Sequence, residues 1–301
     1  MHPHPRHRPA AISEWEREFA FPQQVVFCRL YRGPGGPRRL LLLHGGGVDG
    51  ALTWSAIIAA LTGWSEILVP DLRGTGKTRF PDGCEHPFDA DDVVTDVERL
   101  LAALEWRTFD LGGYSYGGLM AMLLKARGAH EIPKTFLLEP GLLGKLEPAA
   151  LLESRSRLSL AAAGLLQGTT PAEAKQAIEI FLDVVAPGRS RNPRSERAII
   201  ERLSARPAGL ARAIECVSAA SRRVDRERLI ARQENVSSFV GQRSQPDFFA
   251  LCQRIAVRRD DWICHLVPGT DHALPFQKPI RIAAQMDADR LPTRPAGVVQ
   301  R

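Results

Sequence analysis

The stretch from Thr108 to Arg127, TFDLGGYSYGGLMAMLLKAR, joins an apolar strand-like run to an apolar helix-like run through a turn at Ser115. In that setting the pattern Gly113-x-Ser115-x-Gly117 is typical of a tight strand-to-helix turn that exposes a serine hydroxyl. Glycine at both flanking positions lets neighbouring backbone approach where a β-carbon would clash. The N-terminus of the following helix also favours negative charge that develops nearby. The pattern therefore predicts that Ser115 is a catalytic nucleophile.

Strand-like and helix-like segments alternate on both sides of this turn. The segments at 39–43, 66–69 and 134–138, which are mainly apolar after a charged first residue, predict buried strands. Residues 89–105 carry apolar side chains at helical spacing, which predicts a helix. Such alternation is typical of parallel strands that are covered by helices on both faces of a sheet. We therefore predict an α/β fold with a mostly parallel sheet.

The alternation is interrupted once. From residue 144 to residue 235 the segments are helical and rich in alanine, leucine and arginine, and a strand-like pattern resumes at 236–240. An inserted helical unit of this length lies within the usual range of domain sizes. The predicted organisation is a disordered leader over 1–12, an α/β core over 13–143 and 236–290, a helical cap over 144–235 and a tail over 291–301.

The composition suits a globular protein and argues against several classes of partner. The chain has 301 residues and a net charge of +6, from 40 basic and 34 acidic residues. Acidic residues interrupt the densest basic stretch, 189–232, which is typical of a solvated helical face and not of a nucleic-acid groove. No apolar run approaches the roughly 20 residues that a membrane helix needs, and residues 1–10 lack the apolar core of a secretory signal. We expect a cytoplasmic protein of undetermined oligomeric state that binds neither nucleic acid nor membrane.

The cysteines give no sign of a structural framework. Their number is odd and no two of them form a CxxC pair, so the pattern indicates neither a set of disulfides nor a zinc site. We expect reduced thiols and no metal centre. The five positions are Cys28, Cys84, Cys216, Cys252 and Cys264.

Four segments occur in the order that is typical of the α/β-hydrolase superfamily. They are LHGGG at 43–47, DLRGTG at 71–76, GYSYG at 113–117 and PGTDH at 268–272. The sequence resembles this family over nearly the whole chain outside the leader and the cap, which implies an α/β-hydrolase fold. The dehalogenases and epoxide hydrolases of the family carry aspartate as the nucleophile. Because this chain has Ser115, it resembles the esterases, thioesterases, lactonases and acyltransferases.

The resemblance implies that His272 is the catalytic base, since it follows the strand at 262–267 by a short turn. A histidine that titrates near neutrality can take the proton of Ser115 and return it to the leaving group. Two carboxylates compete for the role of orienting the imidazole. Many family members place the acid three residues beyond a glycine after the preceding strand, and here Asp247 comes six residues after Gly241. Glu139 ends the strand at 134–138, and we favour it because the following proline predicts an extended Glu139 that projects toward the catalytic edge.

The remaining parts of the site are expected close to Ser115 and to the glycine-rich loop at 45–47. The oxyanion hole is expected to use the backbone N–H groups of Gly46 and Tyr116. Trp54 and Tyr114 are candidates for lining the acyl pocket, although Trp54 fits the core equally well. The predicted function is a serine hydrolase that cleaves a small-molecule carboxylic ester, thioester or lactone through an acyl-enzyme, without cofactor or metal. Acyl transfer on the same scaffold is an alternative.

A second motif favours a different class of enzyme. Gly45-x-Gly47-x-x-Gly50 follows a strand and precedes a helix, and Asp71 follows it at the distance of a ribose-binding acid. This pattern is typical of a dinucleotide-dependent oxidoreductase. We favour the hydrolase, because the dinucleotide interpretation leaves the turn at Ser115 and the segment that ends at His272 without a purpose.

Overall fold

The computed structural model describes residues 13–168 and 170–290, so the predicted leader over 1–12 and tail over 291–301 lie outside the described residues. These ranges contain eight strands and eleven helices. The strands are β1 Ser13–Phe21, β2 Gln24–Arg32, β3 Arg39–Leu43, β4 Glu66–Pro70, β5 Asp110–Tyr114, β6 Thr135–Leu138, β7 Val236–Gly241 and β8 Trp262–Val267. The helices are α1 Gly50–Ile58, α2 Ala90–Ala103, α3 Ser115–Arg127, α4 Pro148–Gln167, α5 Pro171–Val185, α6 Pro193–Leu203, α7 Pro207–Arg223, α8 Arg226–Ala231, α9 Pro246–Ala256, α10 Leu274–Gln277 and α11 Pro279–Asp289.

The eight strands form one sheet in the order β1-β2-β4-β3-β5-β6-β7-β8. From β4 to β8 all neighbours in the sheet run parallel, whereas β2 is antiparallel to both β1 and β4. This confirms the predicted mostly parallel sheet. The parallel arrangement also places the carboxyl ends of β3, β5, β6, β7 and β8 at one edge of the sheet, where the catalytic candidates follow their strands.

Strand β1 was not predicted from the sequence. Its signal is an alternation of period two, in which Trp15, Phe19 and Phe21 share one face and pack against a hydrophobic cluster of the core. The alternation is weak because Arg17 occupies the same face, and β1 lies at the edge of the sheet, where fewer side chains are buried.

Helices cover both faces of the sheet. In β3, Leu40 and Leu42 pack in the cluster that includes α1 and α11, whereas Leu41 and Leu43 pack in the cluster that includes α2 and α3. All four leucines are fully buried. Successive side chains of a strand point to opposite faces, so this continuous apolar run is the signature of a central strand with helices on both sides.

Five helices, α4 to α8, lie between β6 and β7 in the chain and form the helical insertion, residues 148–231. The insertion has a hydrophobic cluster of its own, to which Leu158, Ile178 and Leu210 contribute. Val48 of the glycine-rich loop after β3 packs against this cluster. The insertion therefore lies over the edge of the sheet where β3 ends, and its action as a cap over the site stays a prediction.

The expectation that all cysteines are reduced is wrong for one pair. Cys252 of α9 and Cys264 of β8 form a disulfide, with Cα atoms 5.8 Å apart. The spacing gave no hint of this bond, because the two residues meet only when α9 packs back on β8. Cys28, Cys84 and Cys216 are free thiols.

The length and hydropathy of the helices can be compared with what a membrane span requires. Within the described ranges, no helix has both the length and the hydropathy that crossing a bilayer requires.

Candidate active site

Ser115 lies on a sharp turn between β5 and α3. Its backbone φ of 51° is in the left-handed region, which residues other than glycine seldom adopt. Two backbone hydrogen bonds of 2.9 Å hold the turn, from Gly117 N to the His44 oxygen and from Gly141 N to the Ser115 oxygen. The neighbouring loops thus fix the turn from both sides, and the half-buried Ser115 side chain points into a cavity.

Replacing Gly117 by alanine is expected to destabilise the protein by at least about 2 kcal/mol. A β-carbon at this position would overlap the backbone carbonyls of Leu43 and His44, which no change of rotamer relieves. Chemical denaturation measures the effect. Gly36→Ala is the matched control, because a β-carbon there meets nothing within 4 Å. Equal stability of the two variants would contradict the prediction.

His272 follows β8, and its Nε2 lies 3.0 Å from Ser115 Oγ. The buried Asp271 holds the loop, since its carboxylate accepts hydrogen bonds from Ala273 N and from the Gln277 side chain, both at 2.9 Å. The structure therefore brings the predicted base to the predicted nucleophile at hydrogen-bonding distance.

Glu139, directly after β6, is fully buried, and its Oε2 lies 2.6 Å from His272 Nδ1. Its other oxygen accepts a hydrogen bond of 2.7 Å from Gly241 N at the end of β7. The prediction that Pro140 forces an extended Glu139 is wrong, because the residue has a φ of 42°. The two hydrogen bonds of the carboxylate hold the backbone in this disfavoured conformation.

The structure does not bring Asp247 to the imidazole. Asp247 lies in the first turn of α9, where a carboxylate is favoured by the helix dipole. Among the described residues the hydrogen bonds of the His272 ring go to Ser115 and Glu139. The next residue, Phe248, is the one that reaches the site, with its ring stacked 6.2 Å from the His272 ring. Sequence reasoning missed this contact, because it depends on how α9 packs.

The two expected oxyanion donors lie side by side. Gly46 and Tyr116 both line the cavity at Ser115, and a β-carbon on Gly46 would lie 3.7 Å from Cβ of Tyr116. The Tyr116 N–H belongs to the first turn of α3, where backbone N–H groups have no partner inside the helix. The two residues therefore lie next to each other beside Ser115, and their role as oxyanion donors stays a prediction.

His44 fixes the loop that carries Gly46. Its Nε2 accepts a hydrogen bond of 2.8 Å from Leu72 N, so Nδ1 carries the proton and donates at 2.8 Å to the Gly45 oxygen. Complete burial lowers the pKa of His44, because the charged imidazolium would lose its hydration. A neutral imidazole thus orients the peptide group that joins Gly45 to Gly46 and carries the Gly46 N–H.

One of the two predicted substrate-binding residues is not in the site. Trp54 is fully buried in the hydrophobic cluster under α1 and lines neither cavity at Ser115, so this prediction is wrong. The Trp54 side chain lies on the face of α1 that packs against the sheet. Tyr114 does line the larger cavity, and its hydroxyl donates to the His272 backbone oxygen at 2.9 Å. Tyr114 therefore also supports the loop that carries the imidazole.

Two cavities meet at Ser115 and His272. The smaller, of about 70 Å³, lies on the side of Tyr116 and Phe248. The larger, of about 430 Å³, lies on the side of Tyr114 and extends below the helical insertion. The apolar lining of the larger cavity includes Val48, Leu52, Phe181, Leu182, Leu203 and Phe276.

The dinucleotide interpretation fails at Asp71. Its carboxylate is buried and accepts hydrogen bonds of 2.9 Å from Gly50 N and Lys77 N, and it pairs with Arg29 at 3.2 Å. An acid so engaged cannot bind a ribose hydroxyl. Among the described residues, no three His, Cys, Asp or Glu side chains form a group that could hold a metal ion.

The fold and this site place the chain in a known class of proteins. It belongs to the alpha/beta hydrolase family, whose sequence model matches residues 40–285. This confirms the resemblance to the α/β-hydrolase superfamily, and it argues against the oxidoreductase alternative.

The chain is similar to several members of this family whose functions differ. It is 32% identical to a serine hydrolase-like protein of Danio rerio over 36% of this chain and 32% of that protein. It is 29% identical to a 2-hydroxy-6-oxo-2,4-heptadienoate hydrolase of Pseudomonas putida over 35% of this chain and 38% of that protein. The matches thus span well under half the length of these relatives.

Solved structures confirm the α/β-hydrolase fold. A hydrolase from Pseudomonas aeruginosa superimposes with a TM-score of 0.68 at 24% identity, over 91% of this chain and 98% of that chain. An enol-lactonase from Burkholderia xenovorans gives a TM-score of 0.66 at 17% identity, over 89% and 96% of the two chains.

Proposed function

We propose that this protein is a serine hydrolase that cleaves a carboxylic ester, thioester or lactone through an acyl-enzyme intermediate. The observation that carries the proposal is the chain of hydrogen bonds from Ser115 Oγ through His272 to Glu139, of 3.0 and 2.6 Å. A hydroxyl beside an imidazole whose second nitrogen bonds a carboxylate is the arrangement that activates serine toward a carbonyl carbon. Membership of the α/β-hydrolase family supports this chemistry.

Acylation uses each of these groups at a stated atom. Ser115 Oγ attacks the substrate carbonyl carbon while His272 Nε2 accepts its proton, and Glu139 stabilises the imidazolium that forms. The carbonyl oxygen becomes an oxyanion and receives hydrogen bonds from the Gly46 and Tyr116 N–H groups. The tetrahedral intermediate then expels the alcohol or thiol, which takes the proton from His272, and the acyl group stays on Ser115.

Deacylation repeats the sequence with water. His272 Nε2 accepts a proton from a water molecule as its oxygen attacks the acyl carbon. The second tetrahedral intermediate expels Ser115 Oγ, which regains its proton from His272. The products are the carboxylic acid and the free enzyme, and a lactone substrate gives a hydroxy acid by the same steps.

We infer that the helical insertion acts as a cap and sets the choice of substrate. Phe181 from α5 lines both cavities at Ser115, and Leu203 from α6 lines the larger one. The larger cavity, of about 430 Å³ with a mainly apolar lining, suits an apolar portion of a small substrate.

Labelling and turnover test the proposal together. The wild-type protein is expected to react with a fluorophosphonate probe at one site and to hydrolyse at least one member of a panel of 4-nitrophenyl esters, acyl thioesters and lactones. Ser115→Ala is expected to do neither, because it lacks the attacking oxygen. Intact-protein mass spectrometry and absorbance assays supply the measurements.

The outcomes are distinct. A wild-type protein that is folded, takes up no probe and turns over no member of the panel would refute the serine hydrolase. Labelling that persists in Ser115→Ala would place the nucleophile elsewhere. Product analysis with an added alcohol distinguishes hydrolysis, which gives the free acid, from acyl transfer, which gives a new ester.

A further inference from the structure

Arg155 is a buried cation beside the nucleophile. It lies in the first half of α4, is 9% exposed and lines the smaller cavity together with Ser115. Its Nη2 donates a hydrogen bond to the Gly141 oxygen. Gly141 N donates in turn to the Ser115 oxygen at 2.9 Å, so a single residue connects the guanidinium to the turn that carries the nucleophile.

This guanidinium has almost none of the partners that its chemistry demands. A guanidinium has five N–H donors, and the hydrogen bond of Arg155 within the described ranges is the one to Gly141. Its Nε is buried without a hydrogen-bond partner. No carboxylate of the described residues lies close enough to affect its charge. Burial lowers the pKa of Arg155 to about 10, because lost hydration is not offset by a nearby anion. The group remains charged at neutral pH.

A second buried arginine of the helical insertion is paired with carboxylates, as buried charges usually are. Arg189 is 7% exposed, and it pairs with Asp183 at 2.7 Å and with Glu196 at 3.1 Å. Buried charges in proteins are normally paired in this manner, since an unpaired one is strongly destabilising. Arg155 has no such carboxylate among the described residues, which points to a partner from outside the chain.

The lining of the smaller cavity suits a negatively charged ligand. No aspartate or glutamate lies among the described residues that line it, whereas Lys145 supplies a second cation and Gln245 a neutral polar group. A volume of about 70 Å³ admits only a short group next to Ser115. A carboxylate on a few carbon atoms has that size, and it is the planar anion that a guanidinium binds with two parallel hydrogen bonds.

We propose that Arg155 binds a carboxylate of the substrate in the smaller cavity, so that the preferred ester, thioester or lactone carries a second, ionised carboxyl group. This rests on the proposed function of Ser115, and it adds the charge of the substrate. Arg155 would fix the substrate relative to Ser115 Oγ while Gly141 holds the guanidinium in place.

Two pairs of matched substrates test the proposal. One pair carries the carboxylate in the acyl part of the ester and the other carries it in the alcohol part. The acyl pair is mono(4-nitrophenyl) glutarate and 4-nitrophenyl pentanoate, and the alcohol pair is 4-acetoxybenzoate and 4-acetoxybenzamide. We expect the wild-type kcat/KM to favour the charged member of one pair by at least about tenfold. Arg155→Met is expected to abolish that preference, chiefly through KM of the charged substrate, and Arg155→Lys to retain part of it.

Two controls separate recognition of charge from support of the fold. Arg157→Met removes an exposed arginine two residues along α4 and is expected to leave the preference unchanged. The proposal is overturned if the wild type shows no preference for charge in either pair. It is equally overturned if Arg155→Met lowers kcat/KM of both members of a pair by the same factor, which is the signature of a structural role.

Direct binding separates this proposal from the proposed function. Isothermal titration of Ser115→Ala with glutarate is expected to show binding that Arg155→Met in the same background abolishes. If that binding is seen although no ester is hydrolysed, the anion site stands and the serine hydrolase fails. If the esters are hydrolysed but glutarate binds equally with and without Arg155, the hydrolase stands and the anion site fails.

Discussion

Replacing Ser115 by alanine is expected to lower kcat by at least about 10⁴-fold on any ester that the wild type hydrolyses. In the proposed reaction His272 deprotonates this hydroxyl from 3.0 Å, and alanine has no oxygen atom that could form the acyl-enzyme. The variant is expected to bind substrate, because the cavities and the Gly46 and Tyr116 N–H groups remain. Single-turnover kinetics with an ester substrate measure the loss.

A matched serine shows that the loss is specific. Ser156 is exposed on α4, where its hydroxyl donates a hydrogen bond of 3.1 Å to the Leu152 backbone oxygen. Ser156→Ala is expected to keep kcat within about threefold of the wild type, as surface substitutions usually do. Activity in Ser115→Ala within tenfold of the wild type would show that the nucleophile lies elsewhere.

Replacing Glu139 by glutamine is expected to lower kcat by about 10³- to 10⁴-fold. The amide keeps the size of the side chain, and its oxygen can still accept the hydrogen bond from Gly241 N. It carries no charge, so it cannot stabilise the imidazolium that forms on His272 during attack. The effect is therefore expected in kcat far more than in KM.

Asp247→Asn is the matched comparison, because Asp247 is the other carboxylate that the sequence suggests for this role. It removes a charge from the first turn of α9 without touching the His272 ring, and kcat is expected to stay within about threefold of the wild type. Steady-state kinetics of both variants rank the two carboxylates. A larger loss in Asp247→Asn than in Glu139→Gln would assign the orienting acid to Asp247.

Most of the fold was predictable because its signals are local. The four leucines of β3 identify a strand with both faces covered, and the glycines around Ser115 identify the turn into α3. The edge strand β1 was not predicted, because Arg17 interrupts the apolar face of this strand. The limits of most other elements follow from periodicity, from proline at helix starts and from glycine at turns.

The site was predictable where a motif carries it and not where packing does. Ser115 and His272 lie in segments with recognisable order, and the structure places them 3.0 Å apart. Trp54 was misassigned because proximity in sequence to the glycine loop says nothing about which way a helix faces. Arg155 has no sequence signal, since it is one of many arginines in the helical insertion and only the burial around it sets it apart.

The left-handed backbone at Ser115 and Glu139 implies a trade-off between stability and activity. Each such conformation costs about 1–3 kcal/mol for a residue with a side chain, and the two lie at neighbouring strand ends, after β5 and β6. Glycine at either position would relieve that cost and remove a group that the proposed reaction needs. Selection for thermal endurance alone would therefore favour sequences that lose the chemistry, and an engineered stable form should be sought among positions away from these two.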